Sequence, residues 1–325
     1  MARYNPPVSP CATSFRATID GFSSRLPVRA VAIVALLTAA FIWGSAAVAT
    51  KSALVHWPPM TLAFVRWSIA LAILLALLRR TGGRPARGTG IALLGLTGLV
   101  FFYVFYSWGL RYTTAASATL IGGGSPVIVA IVSTVALGEH VSRRRGLGIL
   151  ASLVGVAAIV AVSAGGTGGS SLLGNVLILG STVSWALYTV LSRRIGAGGN
   201  ALGTLVGTAI YGLIVLLPLM IVELVISGIG PISFGDVLMM LYLSLGPSAA
   251  AYLLWSYGLT HVEASQAAVY GNLMPLVGVV LAALLLGEAI TWVILAGGLA
   301  IVGGAWLATS RPRAKELPAM SASDR

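Results

Sequence analysis

The chain is poor in cysteine and in charged residues. Its 325 residues include one cysteine, Cys11, which excludes an intrachain disulfide and a cysteine-based metal site. Charged residues make up 9% of the chain, far below the usual share of about 25%, whereas hydrophobic residues make up 58%. A soluble core cannot enclose so much apolar surface, so the composition predicts a protein whose solvent is the lipid bilayer.

Apolar segments of nearly equal length recur along the chain. Each is close to the roughly 20 residues with which a helix crosses about 30 Å of hydrocarbon. The sequence therefore predicts an all-α integral membrane fold with ten transmembrane helices, near residues 30–51, 59–78, 88–110, 117–137, 144–163, 172–192, 200–222, 236–259, 265–286 and 292–309. The polar stretch 1–29 is expected to be a disordered cytoplasmic tail.

Basic residues are concentrated in the tails and in every second loop between the predicted crossings. The net charge of +12 could suit a nucleic acid, but 17 of the 20 Lys and Arg residues fall in loops and tails on one side of the predicted membrane. The positive-inside rule makes that side cytoplasmic. We therefore expect a multi-pass protein of the cell inner (plasma) membrane with both termini in the cytoplasm and no nucleic-acid partner.

One stretch of the sequence occurs twice. Residues 125–139 read SPVIVAIVSTVALGE and residues 274–288 read MPLVGVVLAALLLGE, with an offset of 149 positions. Five predicted helices per unit is an odd number, so the second unit enters the membrane from the opposite side, as in carriers built from inverted repeats around a central cavity. The predicted division is a five-helix repeat at 30–164, an external linker at 165–171, a second five-helix repeat at 172–310 and a cytoplasmic tail at 311–325.

Several motifs occur in a characteristic order, namely Trp43-Gly44-Ser45, Lys51, Pro58-Pro59, Arg66 and the later Ser-Pro with Leu-Gly-Glu. With these motifs the chain resembles the EamA-type drug/metabolite transporter superfamily, and most of all its YddG-type exporters of aromatic amino acids. The second half departs from the pattern, because Ala186 follows the tryptophan and no arginine corresponds to Arg66. The resemblance implies an alternating-access exporter of amino acids and related metabolites.

Aromatic residues keep their spacing in both halves. Tyr103 and Tyr106 stand three residues apart, on one helical face, and at the offset of 149 they become Tyr252 and Trp255. A face that is aromatic in both halves predicts a surface shared by both, which is the central cavity. The predicted substrate-binding residues are Trp43, Tyr103, Tyr106, Trp185, Tyr188, Tyr252, Trp255, Tyr270 and Asn272.

Two other roles for aromatic residues remain open at this stage. These rings could serve helix packing alone, and tryptophans near helix ends suit the interfacial belt of a membrane protein. The residues assigned to that belt are Trp57, Trp67, Trp292 and Trp306.

A proline stands at matched depth in each repeated stretch. Proline has no N–H, so Pro126 and Pro275 release the carbonyls of Gly122 and Gly271 from helical hydrogen bonds. Irregular backbone in a membrane is tolerated where it is buried or lines a cavity. The predicted hinge or gating residues are Gly122, Gly124, Pro126, Gly271 and Pro275, with a purely structural kink as the alternative.

Charged residues fall near the ends of the predicted helices. Lys51, Arg66, Glu139 and Glu288 are interpreted as gate charges or as anchors of helix ends. The absence of an acidic residue near the middle of any crossing favours facilitated transport, while proton coupling through an end-placed glutamate or His140 stays open. The expected absence of a cation at the membrane midplane favours a neutral, zwitterionic or aromatic solute.

Enzyme chemistry finds no support in the motifs. The three histidines lie in different loops without metal-ligand spacing, so neither catalysis nor a cofactor or metal is expected. The alternative functions are a carrier of other hydrophobic or cationic drug-like solutes and a non-transporting scaffold or channel. The expected partners are a small-molecule substrate and the lipid bilayer, and the chain could be a monomer or a homodimer.

Overall fold

The computed structural model describes residues 27–137, 142–163, 170–195, 201–262, 267 and 270–309. Throughout this part of the chain all regular secondary structure is helical. The helices are α1 (Val28–Ala53), α2 (Pro59–Arg80), α3 (Thr89–Tyr112), α4 (Ala115–Gly123), α5 (Ser125–Leu137), α6 (Arg143–Ser163), α7 (Leu172–Ile195), α8 (Ala201–Ser227), α9 (Phe234–His261), α10 (Leu273–Leu286) and α11 (Trp292–Thr309).

These helices form ten membrane crossings. Eight spans are long and apolar enough to cross a bilayer, and α4 and α5 together make one of them. The shorter apolar helices α10 and α11 supply the other two. The fold predicted from the sequence is confirmed. The helix boundaries depart from the predicted runs mainly where a helix continues past the run, as α8 does to Ser227.

Two helices widen into a π-helical turn at matching places, which the sequence analysis did not predict. In α3 the turn covers Leu96–Phe101, and in α9 it covers Gly246–Ala250. Pro247 explains the second turn, because it has no N–H to offer the carbonyl of Leu243. The hydroxyl of Ser248 donates to that carbonyl instead, at 3.0 Å.

Helices of the two halves pack mainly against each other. The most extensive contacts in the described residues pair α6 with α11, α3 with α7, α2 with α8, and α1 with α9 and α10. The pair α6–α11 is held close by glycines, since a Cβ built on Gly304 would stand 2.5 Å from the carbonyl oxygen of Gly148. A Cβ on Gly155 would likewise stand 2.5 Å from the carbonyl oxygen of Gly297.

The corresponding helices of the two halves run in opposite directions. Glu288, just after α10, accepts a hydrogen bond from the N–H of Ala115 at the start of α4. Because α4 and α5 cross the membrane together, the end of α5 lies at the opposite face. This antiparallel relation is the inverted repeat, and it leaves a central cavity between the halves.

Candidate functional site

The central cavity has a volume of about 740 Å³ and is walled by both halves of the chain. The first half contributes residues of α1 to α5, and the second half contributes residues of α7 and α9 to α11. A volume of this size falls in the range of small-molecule sites, roughly 300–1,000 Å³. Of the residues predicted to bind substrate, those that line the cavity are Trp43, Tyr103, Tyr106, Trp185, Tyr188, Tyr252, Trp255 and Asn272.

The rings of α1 and α9 form one aromatic group, here called the α1–α9 aromatic group (Trp43, Tyr252 and Trp255). The Trp43 ring lies edge-on to Tyr252 at 5.2 Å and tilted to Trp255 at 5.6 Å, both between ring centroids. The indole N–H of Trp43 donates to the carbonyl of Pro247 at 3.0 Å, in the π-helical turn of α9. A backbone carbonyl of this turn thus holds a tryptophan of the other half.

The rings of α3 and α7 form the symmetric counterpart, here called the α3–α7 aromatic group (Phe102, Tyr103, Tyr106, Trp185 and Tyr188). Phe102 is its centre, stacked on Tyr106 at 5.2 Å and tilted to Trp185 at 5.8 Å. Trp185 in turn lies 5.1 Å from Tyr188. The inverted symmetry therefore gives each group one helix from each half.

Trp67 joins the two aromatic groups, which corrects its assignment to the interfacial belt. Its ring is 3% exposed and lies 6.1 Å from Tyr103 and 6.3 Å from Tyr252. Its proximity to the start of α2 suggested the belt, but the helix turns this side chain inward. Trp292 and Trp306, by contrast, are 85% and 52% exposed, as an interfacial position requires.

The two crossings that contain Pro126 and Pro275 are interrupted where the sequence predicted loosened backbone. The first breaks at Gly124, between α4 and α5, and the second at Asn272, just before α10. The two breaks meet across the halves, because a Cβ on Gly123 would lie 2.8 Å from the ring of Pro275. Their movement as hinges stays a prediction.

Two of the residues predicted to bind substrate or to act as hinges lie outside the cavity lining. Tyr270 packs instead against a buried cluster that includes Leu36 of α1 and Tyr257 of α9. Gly124 faces the outer helices, where an added Cβ would stand 3.5 Å from Val156. In each case a neighbour one position away along the chain, Gly271 or Gly123, faces the cavity.

Arg66 lies in the cavity wall and not at the membrane surface, so its interpretation as a helix-end anchor is wrong. It is 4% exposed, and its guanidinium carbon stands 5.2 Å from the centre of the Tyr103 ring. The helix places it about 10 Å from the start of α2, on the same face as the buried Ala63 and Ala70. The expected absence of a cation at the membrane midplane stays a prediction, but a cation does line the cavity.

One end of the cavity is closed by hydrogen bonds between elements, here called the closed end. Lys51 donates its ammonium to the carbonyls of Leu110 (3.0 Å) and Thr113 at the end of α3. The carboxylate of Glu288 accepts from the N–H groups of Ala115 (2.7 Å) and Ala116 (2.9 Å) at the start of α4. Each charge has the sign that the helix terminus favours.

Two further acidic residues, which no motif in the sequence marks, strengthen the closed end. Glu223 of α8 is 8% exposed and accepts from the N–H groups of Met60 and Thr61, both at 2.8 Å, at the start of α2. Asp236 at the start of α9 contacts His56 at 2.9 Å. In the sequence, the only indication of these contacts is an acidic residue near the end of a predicted helix.

The other end of the cavity reaches the molecular surface, here called the open end. The lining there includes Ser192 and the exposed Arg193 at the end of α7. Arg193 is the repeat counterpart of Lys51, at an offset of 142. The same position thus holds an engaged cation at the closed end and an exposed one at the open end, while Glu139, the counterpart of Glu288, lies outside the described residues.

Comparison with known proteins identifies the group to which this architecture belongs. The EamA-like transporter family matches residues 30–161 and again residues 172–310, which is most of the chain. The chain belongs to the EamA-like transporter family. A solved crystal structure with a TM-score of 0.61 and 24% identity covers 86% of this chain and 96% of its own, and it has the same fold.

Named relatives of this EamA-like chain are transporters. The uncharacterized transporter YetK of Bacillus subtilis is 28% identical, over 84% of this chain and 85% of that protein. A probable terminal-alkyne amino-acid exporter of Streptantibioticus cattleyicolor is 26% identical, over 86% and 94% respectively. A probable amino-acid metabolite efflux pump of Salmonella typhimurium is 25% identical, over 82% and 90%. This EamA-like protein is thus a multi-pass membrane transporter of small molecules.

Proposed function

We propose that this transporter exports neutral or aromatic amino acids and related small metabolites by alternating access. The observation that carries the proposal is the pair of aromatic groups, which face one cavity from both halves. Flat aromatic walls suit an aromatic or apolar side chain, and their hydroxyl and indole groups can bind its polar end. Two relatives named as amino-acid exporters or efflux pumps support the same substrate class.

The transporter is oriented with its open end towards the cytoplasm, in the cell inner (plasma) membrane. Arginines crowd that end, at the end of α2, the start of α6 and the end of α7. The positive-inside rule favours the cytoplasm for such a face, and both chain termini follow it there. The described conformation is then inward-open, ready to load a cytoplasmic solute for export.

Transport is facilitated and runs down the substrate gradient. No carboxylate lines the cavity among the described residues, whereas intramembrane proton relays are typically built from acidic residues and histidines. The acidic groups at the closed end are engaged in capping helix termini, as Glu288 and Glu223 show. The cavity wall also disfavours cationic drug-like solutes, because Arg66 would repel them.

Flux measurements on purified protein in lipid vesicles test the proposal. We expect saturable efflux of labelled phenylalanine and tryptophan, inhibited by excess unlabelled aromatic amino acid and insensitive to glucose or inorganic phosphate. A channel would give flux that does not saturate, and a scaffold would give none. Either of those results would overturn the proposed function.

A further inference from the structure

Arg66 is a buried cation that has only part of its hydrogen-bonding capacity in use. Its Nε donates to the hydroxyl of Ser248 at 2.6 Å, and its guanidinium lies over the Tyr103 ring. It forms no ion pair with any carboxylate in the part of the chain that the structure describes. The two terminal amino groups form no hydrogen bond with those residues and are not fully buried, so they are open to the cavity that Arg66 lines.

An unpaired charge at this depth is expensive to maintain. Removing a guanidinium from water disfavours folding unless a partner of opposite charge replaces the lost hydration. Within membranes such residues face cavities and mark the path of a solute. The cavity that Arg66 lines is therefore the place from which a partner for its charge can come.

The residues around Arg66 hold its guanidinium group in one orientation. Pro247 leaves the carbonyl of Leu243 without its helical donor, and the Ser248 hydroxyl donates there at 3.0 Å. That bond fixes the Ser248 oxygen, which then accepts from Nε of Arg66. With Nε engaged and the guanidinium face covered by Tyr103, the terminal amino groups are left for a ligand.

We propose that Arg66 binds the carboxylate of the transported solute, so that the substrate class is aromatic or apolar monocarboxylates, zwitterionic amino acids among them. Paired amino groups match the two oxygens of a carboxylate, and the ion pair restores the charge balance of the cavity wall. This inference rests on the proposed function but specifies the part of the solute that is recognised. Ser248 acts as a positioning residue.

Ligand binding to purified protein tests the proposal with two matched pairs of compounds. Each pair differs only in its carboxylate: L-phenylalanine with L-phenylalaninamide, and 3-phenylpropionate with 3-phenylpropionamide. Affinity is measured by intrinsic tryptophan fluorescence and checked by the ligand-induced rise in melting temperature. We expect the wild-type protein to prefer each acid to its amide by about 30-fold.

Three variants separate a binding role from a structural one. Arg66→Gln should weaken binding of both acids by about 30-fold and leave the amides within about twofold. Ser248→Ala should weaken the acids by a few fold, because the guanidinium loses its fixed orientation. Arg79→Gln removes an exposed charge from the same helix and should change neither affinity.

Each outcome decides for or against the assignment. Equal weakening of acids and amides in Arg66→Gln, or no wild-type preference for the acids, would overturn it. If Arg66→Gln fails to fold, Arg66→Lys and Ser248→Ala decide instead, since both must reduce the acid preference without affecting the amides.

The failure of this inference can be distinguished from that of the proposed function. If both the wild type and Arg66→Gln transport phenylalanine and prefer the acid to the amide equally, only the carboxylate site is contradicted. Binding of 3-phenylpropionate that depends on Arg66, without any transport of amino acids, would contradict the proposed function alone.

Discussion

Single aromatic side chains give the cavity its surface. Tyr103 and Tyr252 are repeat counterparts, and both lie against Trp67, one from each half. Their rings also line the cavity. The same two side chains therefore pack against Trp67 and border the space that a solute would occupy. Substitution of both should therefore affect binding more than the fold, because Trp67 remains to fill the core.

The double substitution Tyr103→Ala with Tyr252→Ala should weaken binding of phenylalanine by about tenfold, since two ring contacts are lost. Saturation of flux in vesicles gives the apparent affinity, and the melting temperature shows whether the protein still folds. Tyr112→Ala is the control, because Tyr112 is 42% exposed and lies outside the cavity lining. A folded double variant with wild-type affinity would exclude these rings from the binding site.

At the same scale, the position of Arg66 could have been predicted more closely than it was. Ala63, Trp67 and Ala70 are spaced at three and four residues, which predicts one buried stripe on α2. Arg66 stands three residues after Ala63 and four before Ala70, so it shares that face. Distance from the helix end suggested a surface anchor, whereas helical periodicity was the stronger indicator.

Helix ends form the closed end of the cavity. Carboxylates from the second half cap two helices of the first, with Glu288 at the start of α4 and Glu223 at the start of α2. Loss of such a cap exposes unpaired backbone N–H groups and weakens the attachment between the halves. Opening of this end should therefore become easier.

Glu288→Ala should make the cavity accessible from the closed end. The reporter is Ala47→Cys in a Cys11→Ser background, because Ala47 is 5% exposed and lines the cavity one turn before Lys51. A membrane-impermeant thiol reagent, added on the side of Glu288, should label this cysteine about tenfold faster in Glu288→Ala than in the reporter protein that keeps Glu288.

The labelling experiment has an internal control. Arg111→Gln, an exposed charge at the same face, should leave the labelling rate unchanged. Unchanged labelling in Glu288→Ala would mean that its carboxylate does not hold the closed end together.

The glycine contact between α6 and α11 offers a test of packing that is separate from the site. Gly304→Ala places a Cβ 2.5 Å from the Gly148 carbonyl oxygen and should lower the free energy of unfolding by about 1–3 kcal/mol. Gly303→Ala is the matched control, because a Cβ there meets nothing within 4 Å. Thermal unfolding in detergent measures both, and equal melting temperatures would contradict the close contact.

The helices and their interruptions could be predicted, because they depend on local sequence patterns. The contacts between helices could not. Apolar runs and prolines in the sequence predict ten crossings and the interruptions near Gly124 and Asn272. The bond between Glu288 and Ala115 joins residues 173 positions apart, and no periodicity reports such a pairing. The π-helical turn at Leu96–Phe101 likewise contains no proline that would have indicated it.

For the molecule as a whole, inverted symmetry predicts a second conformation. Lys51 holds the end of α3 in the described state, and its counterpart Arg193 is exposed at the open end. In the outward-open state we expect the roles to exchange, with Arg193 donating to the carbonyls of Leu259 and Val262, the repeat counterparts of Leu110 and Thr113. The two faces would then open alternately around one site.

Counterflow in lipid vesicles measures alternating access to an aromatic amino acid most directly. Vesicles holding the transporter and excess unlabelled phenylalanine are diluted into a trace of labelled phenylalanine, and internal label is followed over time. A carrier with one alternately exposed site should accumulate label transiently above its equilibrium value. A monotonic rise to equilibrium, or no uptake at all, would contradict alternating-access transport of this substrate class.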